Sequence, residues 1–451
     1  MKYLRPIVYV LTIAFFYSCT TAEKEASFIT TAHKDANGFS YQTVSNDPTG
    51  LRLYELDNGL KVYLSQNKDE PTIQTFIPVR AGSNYDPKES TGLAHYLEHM
   101  VFKGTHEFGT NDWDTEKKYL DSISNLYEAH RAATDPEEKK DLYKEIDRVS
   151  LAASEYSIAN EYDKMVSTLG ARGTNAHTWF EETVYKNKIP ANELSKWANL
   201  ESDRFSELVL RLFHTELEAV YEEFNRGQDN DGRKKFSSTL EALFPNHPYG
   251  QQTTIGTSDH LKNPSMVAIH EYFDKYYVPS NMAVVLVGDF EYDSTIALIN
   301  DTFGKLENKE VVHPELPKEE PIAKIVTKEV LGPTSESVYV AFRTGGIGTD
   351  EEIMVTLVDM ILANSQAGLF DLNLNQQQKV QRASSFPMFQ NDYGMHILDG
   401  YPKDGQSLDE VKDLMLAQLD KVKKGEFEDW MIDAVVNDMK LNQLQQFESS
   451  S

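Results

Sequence analysis

The sequence predicts an α+β protein with two related domains, each a mixed, largely antiparallel sheet packed with helices on one side. The chain has 451 residues, which is more than one hydrophobic core usually serves. Strand patterns precede helix patterns on both sides of residues 308–322, a segment rich in proline and charge. Aromatic residues make up 11% of the chain, so a large packed interior can form.

The N-terminus has the pattern of an export signal. Lys2 and Arg5 precede an apolar run at residues 7–16, which is too short to span a bilayer stably. The pattern resembles a bacterial lipoprotein signal in which Cys19, the single cysteine of the chain, becomes the lipidated first residue. We therefore expect a signal peptide at 1–18 and a lipoprotein tether at 19–46. The protein would be exported to the bacterial cell envelope and lipid-anchored to a membrane, on the periplasmic side.

Residues 47–310 are predicted to form the N-terminal domain. Asp57-Asn58-Gly59 separates two alternating runs, and Asn-Gly at such a place is a strong β-hairpin signal. Residues 113–161 carry two helical patterns that are interrupted at Asp135-Pro136, which predicts an inserted helical hairpin. Further strands are expected at 73–79, around 176–185 and at 283–287, and further helices at 92–102, 193–206, 213–224 and 265–277.

Residues 311–451 are predicted to form a second, non-catalytic domain of the same fold. Strands are expected at 325–330 and 337–343, followed by a helix at 351–364. A last helical face, from Ile432 to Phe447, stops at three serines without a glycine cap. We therefore expect this domain to be truncated at its C-terminus.

His95-Tyr96-Leu97-Glu98-His99 is the pattern HxxEH, the reverse of HExxH. Residues four apart on a helix lie one above the other, so His95 and His99 can offer ring nitrogens to one ion. Glu98 stays near the same face and can reach a water on that ion. A zinc ion with three protein ligands keeps one position open for such a water, and a nearby carboxylate can take its proton. The motif therefore predicts one Zn²⁺ per chain, with Glu98 as general base.

Two histidines need a third ligand, and carboxylates are the best remaining donors. The predicted helix at 213–224 carries four of them, Glu216, Glu218, Glu222 and Glu223. Glu216 and Glu223 are two turns apart and share a face, but spacing alone does not choose among the four.

The segment from Gly92 to Thr105 resembles the active-site helix of the pitrilysin, or insulinase-like, family of zinc metallopeptidases. Other stretches match that family in the same order: Ala81-Gly82-Ser83, Asn175-Ala176-His177-Thr178 with Thr183 and Tyr185, Glu216 to Glu223, His247-Pro248-Tyr249-Gly250, Tyr277 to Met282 and Val287-Gly288-Asp289. The resemblance covers residues 48–451. It is specific around the motif and general after residue 310.

The resemblance implies a role for each matching residue. Glu223 would be the third zinc ligand, beside His95 and His99, and Glu216 would be a supporting carboxylate of the catalytic site. Asn175, Ala176 and His177 would line an edge strand to which a substrate peptide adds as one more strand. The separation of 124 residues (223 minus 99) between His99 and Glu223 is longer than is usual in the family, and the inserted hairpin accounts for the excess.

The resemblance further implies a zinc metalloendopeptidase that acts on oligopeptides or unfolded polypeptides. Family members build a chamber from two halves, so we expect a second peptidase-like half or partner subunit. The alternative is a non-catalytic or partner-dependent subunit, or scaffold, of the same fold. The intact set of His95, Glu98, His99 and Glu223 argues against that alternative. A net charge of -27 argues against nucleic acid as a partner, because a phosphate backbone needs a basic surface.

Overall fold

The structure, a computed structural model, describes residues 28–448, so the predicted signal and Cys19 lie outside the described residues. Its strands are β1 (Thr30–Lys34), β2 (Ser40–Val44), β3 (Arg52–Glu55), β4 (Lys61–Gln66), β5 (Thr72–Val79), β6 (Arg172–Thr178), β7 (Thr183–Pro190), β8 (Ala283–Gly288), β9 (Val338–Gly345), β10 (Arg382–Phe389) and β11 (Tyr393–Tyr401). Its helices are α1 (Leu93–Val101), α2 (Trp113–Ala132), α3 (Pro136–Ser154), α4 (Glu161–Thr168), α5 (Leu194–Arg204), α6 (Phe213–Gln228), α7 (Asp231–Leu243), α8 (Pro248–Gln251), α9 (Ser258–Leu261), α10 (Met266–Tyr276), α11 (Tyr292–Thr302), α12 (Asp350–Leu362), α13 (Leu408–Lys424) and α14 (Trp430–Glu448).

The strands form two sheets. Within residues 28–448, the larger sheet has eight strands in the order β1-β2-β3-β4-β8-β5-β7-β6. Its neighbouring strands are antiparallel except β4 and β8, which run parallel. The smaller sheet, β10-β11-β9, is antiparallel throughout the described residues. The α+β class and the largely antiparallel character of the sheets agree with the prediction from the sequence.

The Asn-Gly turn forms the β3–β4 hairpin as predicted, with Glu55 opposite Lys61. Gly59 has a φ of +82°, a conformation that glycine adopts without steric cost. The Asn58 amide donates hydrogen bonds to the main-chain oxygens of Phe303 and Leu306, at 3.0 and 3.1 Å. The hairpin turn is therefore tied to the end of α11.

Helix α1 crosses the interior beside β6, β7, α6 and α10. Its Leu97 and Met100 side chains are fully buried, as expected for an apolar face that packs on a sheet. Gly92 stands before the helix with a φ of +86°. Asp86 accepts hydrogen bonds from the main-chain nitrogens of Gly92 and Ala94 at 2.7 and 2.9 Å, which satisfies two free donors of the first turn.

The inserted hairpin consists of α2 and α3, and α4 follows it. Asp135 caps α3 by accepting from the nitrogens of Glu137 and Glu138, with Pro136 at the first helical position. A buried ion pair fastens the hairpin to the body of the protein. Glu116 on α2 is fully buried, and its Oε1 lies 2.7 Å from Arg211 Nε.

Two segments differ from their predictions before residue 190. Residues 30–44, expected within the tether, form β1 and β2 at the edge of the larger sheet. The alternation of exposed and half-buried side chains at Ser40–Val44 is a strand pattern in polar residues, so hydropathy alone missed it. The single strand expected around 176–185 is a hairpin, β6 and β7. Its turn, Trp179–Glu182, contains neither Gly nor Pro to mark it.

The segment between the last strand of the larger sheet and the first strand of the smaller sheet also differs from its prediction. Residues 307–337 contain no helix and no strand, so the strand predicted at 325–330 is wrong. Ile325 is 93% exposed, and residues 325–330 pair with no strand among the described residues. Helix α7 was not predicted either. It packs against β9, so its apolar positions are buried only once the two parts of the chain meet.

The two parts of the chain share a hydrophobic cluster. Side chains of α7, of α8 and of the β6–β7 turn pack against one face of the smaller sheet. The buried members of this cluster are Phe180, Leu240, Leu243, Phe244, Tyr249, Met395 and Ile397. The contact brings the β10–β11 turn next to the β6–β7 turn.

Candidate metal centre

His95 and His99 lie one turn apart on α1, as the motif predicted. Their ring centroids are 4.8 Å apart and the rings meet edge to face, at 81°. Burial, reinforced by the positive charges of His99 and Arg233, lowers the pKa of His95 to about 3. His95 is therefore a neutral imidazole at physiological pH, the form that binds a metal ion.

Glu223 reaches the two rings from α6. Its Oε2 lies 3.8 Å from His95 Nε2 and 3.9 Å from His99 Nε2. One ligand atom from each of the three residues falls within 4.8 Å of the others. Tetrahedral zinc with bonds near 2 Å separates its ligand atoms by about 3.3 Å, so small side-chain rotations would close this triangle around the ion. The Glu223 side chain is 45% exposed, which leaves one side of the triangle open to solvent.

Helix α6 packs against α1, and one hydrogen bond and one buried side chain fix how it is turned. The Tyr96 hydroxyl, which is buried on α1, donates to the main-chain oxygen of Phe213 at the first residue of α6, at 2.5 Å. Val220 is fully buried on the inner face of α6, between Glu216 and Glu223. Those two glutamates are half-buried, whereas Glu218 and Glu222 point to solvent. Helix packing therefore decides which carboxylates face the histidines.

Glu216 orients His99. Its Oε1 lies 2.9 Å from His99 Nδ1, and its Oε2 lies 2.5 Å from the Lys103 ammonium. A carboxylate that accepts the Nδ1 proton leaves Nε2 with its lone pair toward Glu223, as in the carboxylate–histidine–metal arrangement. Burial alone would lower the pKa of His99, but the surrounding carboxylates, Glu216 first, raise it above its ordinary value. Burial would raise the pKa of Glu216, but His99 and Lys103 lower it.

Glu98 lies beside this triangle but belongs to a different environment. It is 7% exposed, and its Oε2 accepts a hydrogen bond of 2.6 Å from the Thr178 hydroxyl. Burial raises its pKa, against the opposing effects of that hydrogen bond and of His99. A buried carboxylate whose proton affinity is increased in this way suits a general base.

The residues expected to bind substrate lie on β6, which is an edge strand of the larger sheet. Asn175, Ala176 and His177 are paired with β7 on one side. The His177 ring is about half exposed, and its Nε2 lies 3.7 Å from Glu182 Oε1. It is not part of the metal triangle. The other side of β6 offers main-chain groups for an added strand.

The donor set fits zinc. Two imidazole nitrogens and one carboxylate oxygen are typical ligands of catalytic zinc, and the exposed side of the triangle leaves room for a fourth ligand. His95 Nδ1 is buried and lacks a hydrogen-bond partner among the described residues. Its orientation therefore depends on packing, unlike that of His99.

Sequence reasoning left two residues around the site without a role, Lys103 and Thr178. Lys103 lies four residues after His99, so the helical spacing that joined the two histidines also pointed to it. Thr178 closes the stretch Asn175-Ala176-His177-Thr178, but its contact with Glu98 depends on the packing of β6 against α1. No sequence spacing reveals that contact.

None of the helices within residues 28–448 combines the length and the apolar character that crossing a bilayer requires.

The chain is similar to known proteins in sequence and in fold. A family model described as "Insulinase (Peptidase family M16)" matches residues 61–140, and one described as "Peptidase M16 inactive domain" matches residues 267–439. Among curated proteins, "Probable zinc protease PqqL" of Escherichia coli is 23% identical over 265 residues, covering 56% of this chain and 23% of that protein. "Protease 3" of Escherichia coli is 25% identical over 286 residues, covering 61% of this chain and 24% of that protein. The chain thus matches these relatives over about a quarter of their length.

Solved structures of peptidases share the fold. A protease from Helicobacter pylori superposes with a TM-score of 0.69 at 22% identity, covering 89% of this chain and 86% of that one. The first half of the periplasmic protease PqqL from Escherichia coli superposes with a TM-score of 0.61 at 17% identity, covering 89% and 78%. Two models of one family, matched in order before and after Glu223, confirm the resemblance seen in the sequence. The chain belongs to the M16 family of peptidases, the pitrilysin or insulinase-like family.

Proposed function

We propose that this chain is a zinc metalloendopeptidase that hydrolyses peptide bonds of oligopeptides or unfolded polypeptides. The convergence of His95, His99 and Glu223 beside the buried Glu98 carries the proposal. Zinc bound there would supply a Lewis acid that acidifies a coordinated water. One ion per chain is expected, because these three residues are the one group of metal-ligating side chains found within residues 28–448.

Each nearby side chain has one task in this proposal. Glu98 takes a proton from the attacking water and later returns it to the leaving amine. Glu216 keeps the Nδ1 proton on His99, and Lys103 keeps Glu216 ionised. Asn175, Ala176 and His177 present the β6 edge, where a peptide adds as a further strand. Main-chain pairing of this kind binds extended segments with little sequence selectivity, which favours unfolded substrates.

The remaining parts of the chain are assigned by the same proposal. Residues 47–310 form the zinc peptidase domain, with 113–161 as its inserted helical hairpin, and residues 311–451 form a second, non-catalytic domain of the same fold. A second peptidase-like half or partner subunit completes the chamber. The greater length of the curated relatives, and a solved structure described as a first half, support this part.

The N-terminal signal pattern supports export to the bacterial envelope, with Cys19 as the lipid anchor and 1–18 removed. The comparison with a periplasmic protease agrees with that location. Replacing Cys19 with serine and following the protein between membrane and soluble fractions tests the anchor. Retention of the variant in the membrane fraction would contradict it.

The test of the activity separates metal binding from catalysis. We expect the Glu98→Gln variant to keep about one zinc per chain, since Glu98 is not a ligand, and to lose about 10²–10⁴-fold in peptide cleavage. Glu223→Gln should lose the zinc itself. Glu222→Gln, on the exposed face of the same helix, is the matched control and should keep both zinc binding and peptide cleavage. If the wild-type chain binds zinc but cleaves peptides neither alone nor with a partner added, the non-catalytic alternative holds instead.

A further inference from the structure

Glu98 receives one side-chain hydrogen bond within residues 28–448. Among the described residues, the Thr178 hydroxyl is its single donor, at 2.6 Å from Oε2, and both side chains are buried. Within residues 28–448, Glu98 Oε1 accepts no such bond. The two carboxylate oxygens therefore differ, and one of them stays available for a proton.

The direction of that hydrogen bond is fixed by the next hydroxyl. Thr183, fully buried on β7, lies 3.3 Å from the Thr178 oxygen and donates its own proton to the main-chain oxygen of Ala81, at 3.0 Å. Because the Thr183 proton is used there, the Thr178 proton is free to be donated to Glu98. An ionised Glu98 has no proton of its own to give, which agrees with this assignment.

The turn that follows Thr178 is held from both sides. On one side, the nitrogens of Ser83 and Asn84 donate to the main-chain oxygens of Trp179 and Phe180, at 3.0 and 2.9 Å. The approach is so close that a Cβ on Gly82 would lie 2.2 Å from the oxygen of Trp179. Backbone at residue 179 therefore cannot move without breaking contacts to the segment that leads into α1.

On the other side, the smaller sheet holds the same turn. The Trp179 indole nitrogen donates to Gln390 Oε1 at 3.2 Å, and the Asn391 nitrogen donates to the Glu181 carboxylate at 3.1 Å. Both partners belong to the β10–β11 turn. The part of the chain without a metal site thus contributes to the position of the end of β6.

We propose that Thr178 is a positioning residue that fixes Glu98 as the general base and links it to the substrate strand β6. The inference rests on the proposed peptidase function and deepens it. Thr178 belongs to the strand on which the peptide is expected to bind. Its hydroxyl holds Glu98 Oε2, so that Oε1 is the atom that takes the proton. Adding a substrate strand to β6 would restrain the same residue that orients the base.

The experiment compares Thr178→Val, which removes the donor and keeps the shape, with Thr178→Ser, which keeps the donor. We expect Thr178→Val to keep about one zinc per chain and a nearly unchanged KM, because β6 still presents its main chain. Its kcat should fall by about 10- to 100-fold, the size of the loss that misplacing a catalytic group causes. Thr178→Ser should recover most of that loss. If the valine variant does not fold, Thr178→Ala replaces it in the same comparison.

A control distinguishes positioning from a general effect on folding. Thr75 is also buried in the same sheet, and its hydroxyl donates to the main-chain oxygen of Asn187 and not to Glu98. Thr75→Val should lower the unfolding temperature and leave kcat unchanged. The inference would be overturned if folded Thr178→Val had an unchanged kcat, or if Thr178→Ser were as impaired as Thr178→Val. Neither result would affect the proposed function, because the wild type would still cleave peptides. A wild-type chain that cleaves no peptide under any condition would instead refute the function itself.

Discussion

The His99 imidazole and the Glu216 carboxylate form a hydrogen bond of 2.9 Å between Nδ1 and Oε1. The bond assigns the two ring nitrogens, since Nδ1 carries the proton and Nε2 faces Glu223. His95 has no corresponding partner at Nδ1 among the described residues. The two histidines of one motif are therefore held in different ways, one by a carboxylate and one by packing.

Replacing Glu216 with glutamine should weaken zinc binding without abolishing it. The amide oxygen can still accept from His99, but the negative charge that makes the ring a better ligand is lost. Changes to such supporting partners typically reduce metal affinity by about 10- to 100-fold, and we expect a loss in that range by chelator competition. Glu222→Gln serves as the matched control. Equal affinities of the two variants would show that Glu216 does not support the site.

The buried pair of Glu116 and Arg211 should make a large contribution to folding. Arg211→Met would leave a fully buried carboxylate unpaired, a change that costs about 3–5 kcal/mol in other proteins. Adding Glu116→Leu should recover part of that loss, because the unpaired charge is then gone. Urea unfolding measures both.

Lys117→Met, in the exposed pair with Asp121 on the same helix, is the control and should change stability little. If Arg211→Met alone had the same free energy of unfolding as Lys117→Met, the inserted hairpin would be held by packing and not by the ion pair.

Acid should destabilise the contact between the two parts of the chain through His247. Its Nδ1 accepts from the Tyr249 nitrogen at 3.2 Å, so the proton lies on Nε2, which is 3.1 Å from Asp392. Burial lowers the pKa of His247 below 6.5, although Asp392 opposes the shift. The unfolded chain therefore takes up a proton near pH 6.5 while the folded chain does not. Stability from this residue is present above that pH and is lost as the pH falls below it.

The prediction is a smaller decrease of the urea midpoint between pH 7 and pH 5 in His247→Gln than in the wild type. The matched control is the same substitution at His33, which is exposed on β1. An identical pH dependence in the wild type and His247→Gln would contradict the assignment.

If a substrate pairs with the main chain of β6, its sensitivity to N-methylation should alternate along the peptide. A peptide that adds to an edge strand uses every second N–H for pairing. N-methylation at those alternate positions should raise KM, since each lost hydrogen bond costs about 0.5–1.5 kcal/mol. Methylation at the intervening positions should have little effect. Equal effects of the two methylation patterns would argue against strand addition.

The sequence predicted those parts of the fold in which local chemistry decides the structure. Asn58-Gly59 determines a turn, and the spacing of His95 and His99 places two rings on one helical face. The β1–β2 hairpin was missed because its strands are polar, and the β6–β7 turn was missed because aromatic and acidic residues form it. The strand predicted at 325–330 is absent, because a strand also needs a partner strand that a local sequence pattern does not supply.

Some residues of the candidate site could be predicted from the sequence, and others depend on tertiary packing. The two histidines and Glu98 follow from one motif, whereas the choice of Glu223 among four glutamates rested on resemblance. The structure gives the physical reason, since packing of α6 at Val220 turns Glu216 and Glu223 inward and leaves Glu222 in solvent. The contact of Thr178 with Glu98 joins residues 80 positions apart and depends on tertiary packing.

The most direct measurement is anomalous diffraction at the zinc edge from crystals of the zinc-loaded protein. We expect one peak per chain, about 2.0–2.2 Å from Nε2 of His95, Nε2 of His99 and a carboxylate oxygen of Glu223. The same peak should persist in Glu98→Gln and vanish in Glu223→Gln. A peak elsewhere in the chain, or a zinc coordinated by the two histidines without Glu223, would contradict the proposed centre.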